Sequence, residues 1–189
     1  MFVGAPFIVV YDASVLFPAP VRDALIRVAE KGLVQAKWTD EINNEWIEAL
    51  LRTRDDVERT KLERTRDLMN SATRDCLVTG YEELIPALTL PDPDDRHVLA
   101  AAIKAGAQAI VTENVKHFPK ATLAGYGISA EQPDEFLVGL VDINEGLVAQ
   151  GLREQWMALK NPPRTKAQFL DTLERRGLVQ TVAALRDLI

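Results

Sequence analysis

The chain has 189 residues, 47% hydrophobic and 26% charged, which excludes a disordered protein and leaves room for one full-sized core with a small appendage. A single cysteine, Cys76, excludes an internal disulfide and a thiolate-rich zinc site. The formal net charge of −6 argues against a protein that grips nucleic acid chiefly through its phosphates, although a carboxylate cluster built to hold a cation would itself account for much of that charge.

The apolar start, MFVGAPFIVVYD, lacks a basic segment and reads as a strand rather than a signal peptide. No apolar run approaches the roughly 20 residues needed to span a bilayer, so no membrane association and a cytoplasmic location are expected. Phe7 to Tyr11 is a continuous β-branched run between Pro6 and Asp12, the pattern of a strand buried on both faces of a parallel sheet. Pro18 and Pro20 precede a helix predicted from about Val21 to Glu30 and ended by Gly32. Val34 to Trp38 suits a second strand, and Thr39 or Asp40 an N-cap for a long helix from Glu41.

From Arg52 to Arg74 the chain is densely charged. This stretch reads either as an RNA-facing surface or as a solvent face laced with local ion pairs. A short strand is predicted at Leu77 to Thr79, a loop at Pro91 to Asp95, a helix from Arg96 to Ala105 closed by Gly106, and a strand at Ala109 to Thr112. Alternating strands and helices predict an α/β fold, a parallel sheet flanked by helices on both faces. Beyond Glu131 only helical spacing remains, broken at Pro162-Pro163. Residues 5–130 are therefore expected to form the sheet domain and 131–189 a C-terminal helical extension.

In open parallel sheets, ligands bind beyond the carboxyl ends of the strands where the strand order reverses. Asp12 follows the first strand, Glu113 and Asn114 follow a later one, and Asp95 begins the helix before it. On the long helix, Ile42, Trp46, Ala49 and Leu50 form an apolar stripe. Glu45 lies about 80° from its centre, and Glu41 and Glu48 roughly 120° and 140°. Glu45 is thus expected to border a cleft, and Glu41 and Glu48 to face solvent. Asp92 before Pro93 also suits a helix cap, with Asp94 and Asp95 complementing the helix dipole. Clustered acids would repel one another unless a hard cation such as Mg²⁺ or Mn²⁺ sat among them.

Of the other polar candidates, His97 is expected to face solvent, while His117 falls in a turn near the cleft. Arg96 suits either a phosphate or Asp92. Trp38, Trp46 and Trp156 read as core or interface residues. No Gly-rich phosphate loop, Ser-His-Asp arrangement or zinc spacing occurs.

Three segments in order, VVYDASVLFP, TDEINNEWIEAL and DPDDRHVLAAAIKAGAQAIVTENVKHFP, resemble the PIN-domain proteins, particularly the VapC-like toxin branch of bacterial toxin–antitoxin pairs. The resemblance covers about residues 7–130. It implies a metal-dependent ribonuclease whose acids bind Mg²⁺ or Mn²⁺ to hydrolyse RNA. By position, Asp12, Glu45 and Asp95 match the family's acidic ligands, and Ser14 and Thr112 its supporting hydroxyls. Asn114 occupies the fourth acidic position, where an amide can ligate but adds no charge, which implies lower metal affinity. The same resemblance implies a cognate antitoxin and a homodimer. The alternative is a non-catalytic PIN-fold module that binds RNA or protein, with a degraded metal site. A haloacid-dehalogenase-like phosphatase would need an aspartate where Ser14 stands.

Overall fold

Four short parallel strands frame the computed structural model, which describes residues 7–189. Pro6 and the first residues of the expected sheet domain, 5 and 6, lie outside the described residues. β1 (Ile8–Tyr11) is central, with β2 (Gln35–Lys37) on one side and β3 (Ala109–Val111) on the other; β4 (Ser129–Glu131) pairs with β3. Val9 sits opposite both Ala36 and Ala109. Val9, Val10 and Tyr11 are fully buried, which is why β1 is apolar at every position rather than at alternate ones. The chain leaves β1 toward β2 and returns to its other side at β3. The strand order therefore reverses between β1 and β3, beside Asp12.

After β1 the chain makes one helical turn, α1 (Ala13–Leu16), then α2 (Ala19–Glu30), which begins two residues before the expected start with Pro20 in its first turn. Proline costs nothing there because its missing N–H would have no partner. α3 (Asp40–Thr53) starts at Thr39, whose hydroxyl accepts from the Ile42 amide at 3.0 Å. α4 (Arg59–Ala72) follows. The strand expected at Leu77 to Thr79 is corrected to a single parallel bridge, Trp38 to Leu77. Gly80, at φ 70°, turns the chain away immediately afterwards.

A 3-10 turn at Glu82–Ala87 leads to the loop before α5 (Arg96–Ala105), whose C-terminus is closed by Gly106 in the left-handed conformation. β3, α6 (Lys120–Ala124) and β4 complete the sheet region. β4 was not expected: Ser-Ala-Glu has no β-branched or aromatic residue to announce a strand.

The remainder is helical. α7 (Pro133–Ala158) breaks at Asn144, whose carboxamide oxygen recaps the second half by accepting from the Leu147 amide at 3.0 Å. α8 (Lys166–Arg175) opens on a Thr165–Gln168 capping box, and α9 (Val179–Leu185) ends the fold. α7 runs against α2, so closely that a Cβ on Gly151 would stand 3.3 Å from the Arg27 carbonyl. Lys31–Glu154 (2.5 Å) and Gln155 Nε2 to the Pro20 carbonyl (2.9 Å) flank the contact. Phe136 meets Tyr11 edge-on, and Tyr11 stacks on Trp38. Among the described residues, no helix is long and apolar enough to cross a membrane.

Candidate metal centre

Asp12 is buried at the end of β1, where its amide donates to the Val111 carbonyl at 3.0 Å. Its Oδ2 accepts from Ser14 Oγ at 2.6 Å and from Thr112 Oγ1 at 2.7 Å. Each hydroxyl in turn accepts from a backbone amide, Ser14 from Glu113 and Thr112 from Asn114, both at 3.0 Å. A hydroxyl has one proton to give, so these amides orient both protons toward Asp12. Both bonds fall on Oδ2 and fix the orientation of the carboxylate. Residues from β1, α1 and the end of β3 thus meet where the strand order reverses.

Glu45 comes from α3. Its Oε1 lies 2.9 Å from Nε2 of His97 on α5. His97 is corrected from a solvent position to one only 5% exposed. α5 packs on β1 and β3 with the 82–87 turn against it, so few of its positions face water. The His97 Nδ1 is buried without a hydrogen bond, 3.6 Å from Glu41 Oε2; that distance is too long for one. Glu41 itself accepts from the Tyr81 hydroxyl at 3.0 Å. Burial alone would disfavour the charged imidazole. The Glu45 hydrogen bond and the charges of Glu45, Glu41 and Asp12 outweigh it and raise the His97 pKa.

Asp95 enters from the turn before α5. Asp92 caps that turn, its Oδ1 accepting from the Asp94 amide at 3.0 Å. His117 Nδ1 contacts Asp95 Oδ2 at 2.7 Å and lies 3.8 Å from Asp92, which places it beside one acid of the cleft, Asp95. Donor atoms of Asp92, Asp95 and His117 all fall within 4.8 Å of one another. Partial burial raises the Asp95 pKa and the nearby Asp12 charge adds to it, against the lowering effect of His117. Glu113 is also raised, by burial.

Asp12, Ser14, Glu45, Asp95, Glu113 and Asn114 line one cleft of about 980 Å³. Thr112 supports it from beneath, fully buried. Glu41 and Glu48 are exposed, as expected, and also line the same cleft. The cleft opens to solvent along the flank of α3. Arg96 pairs with no carboxylate among the described residues; its Nε donates to the Pro93 carbonyl at 2.9 Å. A second cavity of about 510 Å³, between α2, α4, α7 and α8, includes none of these acids.

Carboxylates and an adjacent amide around open volume suit a hard divalent cation, but among the described residues the donor atoms that converge are those of Asp92, Asp95 and His117; Asp12 and Glu45 line the cleft outside that group. His97 and Tyr81 had no signal along the chain, because their role depends on α5 and the 82–87 turn lying against α3.

Residues 8–116 match the family model for the PIN domain, and residues 133–187 match the model described as the VapC50 C-terminal domain. Over 94 residues the chain is 42% identical to "Putative ribonuclease VapC50" of Mycobacterium tuberculosis (strain ATCC 25618 / H37Rv), covering 50% of this chain and 55% of that protein. The match thus spans about half the length of that curated relative. No solved structure matches. With the PIN model covering more than half its length, and a parallel sheet flanked by helices, the chain belongs to the PIN-domain family and continues into a C-terminal region of the VapC50 type.

Proposed function

We propose that this protein is a ribonuclease dependent on Mg²⁺ or Mn²⁺, the toxin of a VapBC-like pair, with Asp12, Glu45 and Asp95 as the metal-holding acids and Asn114 beside them. The observation that carries the reading is the anchoring of Asp12. Two oriented hydroxyls fix its carboxylate at the strand switch point, in a cleft where the Asp12 charge helps raise the Asp95 pKa. A bound cation would relieve the mutual repulsion of these acids. A resident divalent ion would polarise the scissile phosphate and lower the pKa of attacking water.

The protein's own residues supply the rest. Ser14 and Thr112 fix the Asp12 carboxylate, His97 fixes Glu45, and His117 holds Asp95. The relative's description as a putative ribonuclease supports RNA as the substrate, and the resemblance to the VapC-like toxin branch suggests an antitoxin as the partner. A homodimer and a cytoplasmic site of action belong to the same proposal. Asn114, in place of a fourth acid, favours a second reading: a non-catalytic module that binds RNA or protein.

Cleavage of a mixed RNA pool in Mn²⁺, Mg²⁺ or EDTA, beside the Asp12→Asn variant, separates the two. The nuclease reading expects cutting that needs metal and is lost in the variant. No cutting, together with no Mn²⁺ binding by calorimetry, selects the module.

A further inference from the structure

A cleft that holds cations with acids must still receive a polyanion, and its walls show where. Glu41, Glu45, Glu48 and Arg52 follow one another at intervals of four, three and four along α3, a single helical stripe, and all four line the cleft. At 1.5 Å per residue, Arg52 stands roughly 10 Å along the axis from Glu45. Among the described residues, Arg52 is the one cation in the cleft wall.

The stretch that follows Arg52 looked equally suited to RNA and to local ion pairs, and the pairs prevail. Arg54 meets Asp56, Arg59 meets Glu48 at 2.7 Å, Lys61 meets Glu58, Arg66 meets Asp67, and Arg74 meets Asp75. Among the described residues of this stretch, only Arg52 and Arg64 have no carboxylate within 4 Å, and only Arg52 faces the cleft. The Arg59 guanidinium neutralises Glu48, the last acid of the stripe. The wall of α3 therefore changes sign between Glu45 and Arg52.

Phe17, at the end of α1, also lines the cleft, half-buried, five residues after Asp12. α1 packs on α3. Trp46 is fully buried and has the Arg22 guanidinium 4.6 Å above its ring, so Phe17 is the aromatic with accessible surface in this wall. Ala13 and Ala49, which line the same cleft, are small.

Resting on the ribonuclease reading, we propose that Phe17 and Arg52 form a nucleotide subsite beside the acids. The unpaired base of a nucleotide flanking the scissile phosphate stacks on Phe17, and Arg52 holds a phosphate of the same strand. Stacking needs a base free of its partner, so the ligand class is single-stranded RNA. As a cation in the last turn of α3, Arg52 also complements the helix dipole, but that role needs no place in the cleft.

The test uses the full chain with Phe17→Leu, Arg52→Gln and Arg52→Lys, each checked for an unchanged thermal melt. Binding of a fluorescein-labelled single-stranded RNA is read by anisotropy in EDTA across a KCl series. KM for the same RNA is read in Mn²⁺. Phe17→Leu is expected to weaken binding about fivefold or more, with the salt slope intact. Arg52→Gln should reduce that slope by roughly one unit, and Arg52→Lys should restore it. KM should rise in step with the lost affinity. Metal-dependent cleavage with unchanged affinity, KM and salt slope in both Phe17→Leu and Arg52→Gln would overturn the subsite while leaving the nuclease intact. If the wild-type protein binds but never cleaves, the nuclease reading fails and the anisotropy arm alone decides the subsite. Wild-type protein that binds no single-stranded RNA overturns the subsite outright.

Discussion

Thr112 donates a 2.7 Å hydrogen bond to the carboxylate of Asp12, a hundred residues earlier in the chain. The bond ties the ends of β1 and β3 together where the strand order reverses, and the Asn114 amide orients the hydroxyl that makes it. The acid is positioned by the sheet itself rather than by a loop.

Thr112→Val keeps the shape of the side chain and removes the donor. A buried carboxylate that loses one of two charge-assisted bonds costs about 1–3 kcal/mol of stability. Mn²⁺ affinity is expected to fall roughly 10–100-fold, as it does when groups orienting a metal ligand are lost. Calorimetric Mn²⁺ titration and urea unfolding check both. Unaltered Mn²⁺ affinity would show that Thr112 does not set the carboxylate.

His97 makes a pH prediction. Its folded pKa is raised by Glu45, Glu41 and Asp12 against the opposing effect of burial, so the folded state holds the proton more tightly than the unfolded chain, whose imidazole titrates near about 6.5. Its stabilising contribution is complete below that value and is lost as pH rises through the higher folded pKa. In EDTA, the stability gap between wild type and His97→Gln should be widest in mild acid and shrink as the pH becomes alkaline. Urea titrations over that range measure it; a gap that is flat or grows with pH contradicts an imidazolium held between two glutamates.

Features written locally were legible in the sequence. β1 announced itself by an unbroken apolar run, α3 by Thr39, and the end of α5 by Gly106. The Asp12 and Asp95 positions followed from their places beside strand and helix ends. What failed depended on neighbours. Counting angles around α3 rightly leaves Glu41 exposed, but cannot know that α5 brings a buried His97 between Glu41 and Glu45. β4 holds its place only because β3 offers a free edge, and Leu77 has just one residue's width of contact with β2's end.

Asn114 offers a gain-of-function test. It lines the cleft without charge, and affinity for hard cations rises with the number of charged oxygens. Asn114→Asp should tighten Mn²⁺ binding about tenfold and lower the Mn²⁺ concentration needed for half-maximal cleavage. The added charge should also destabilise the metal-free protein slightly, since the cleft is already acidic. Weaker Mn²⁺ binding in the variant would place Asn114 outside the coordination sphere.

The helical extension is expected to melt with the sheet as one unit. Asp134, in the first turn of α7, caps α9 rather than its own helix. Its carboxylate accepts from the amides of Gln180 and Thr181, both at 2.9 Å, and from the buried Thr181 hydroxyl at 2.7 Å. Asp134→Ala strands three donors, two of them on the fully buried Thr181, at a cost of about 2 kcal/mol. For a chain of this size that corresponds to a Tm lower by about 4–8 °C. Gly151→Ala should act in the same direction, because the new methyl meets the Arg27 backbone at 3.3 Å, where a flexible side chain's retreat is not available. Phe136, Val148 and Leu152 share one apolar cluster with Tyr11 and Val28, so either lesion should shift a single transition seen alike by far-UV and near-UV circular dichroism. Two separated transitions in the wild type would instead mean that α7 to α9 fold apart from the sheet.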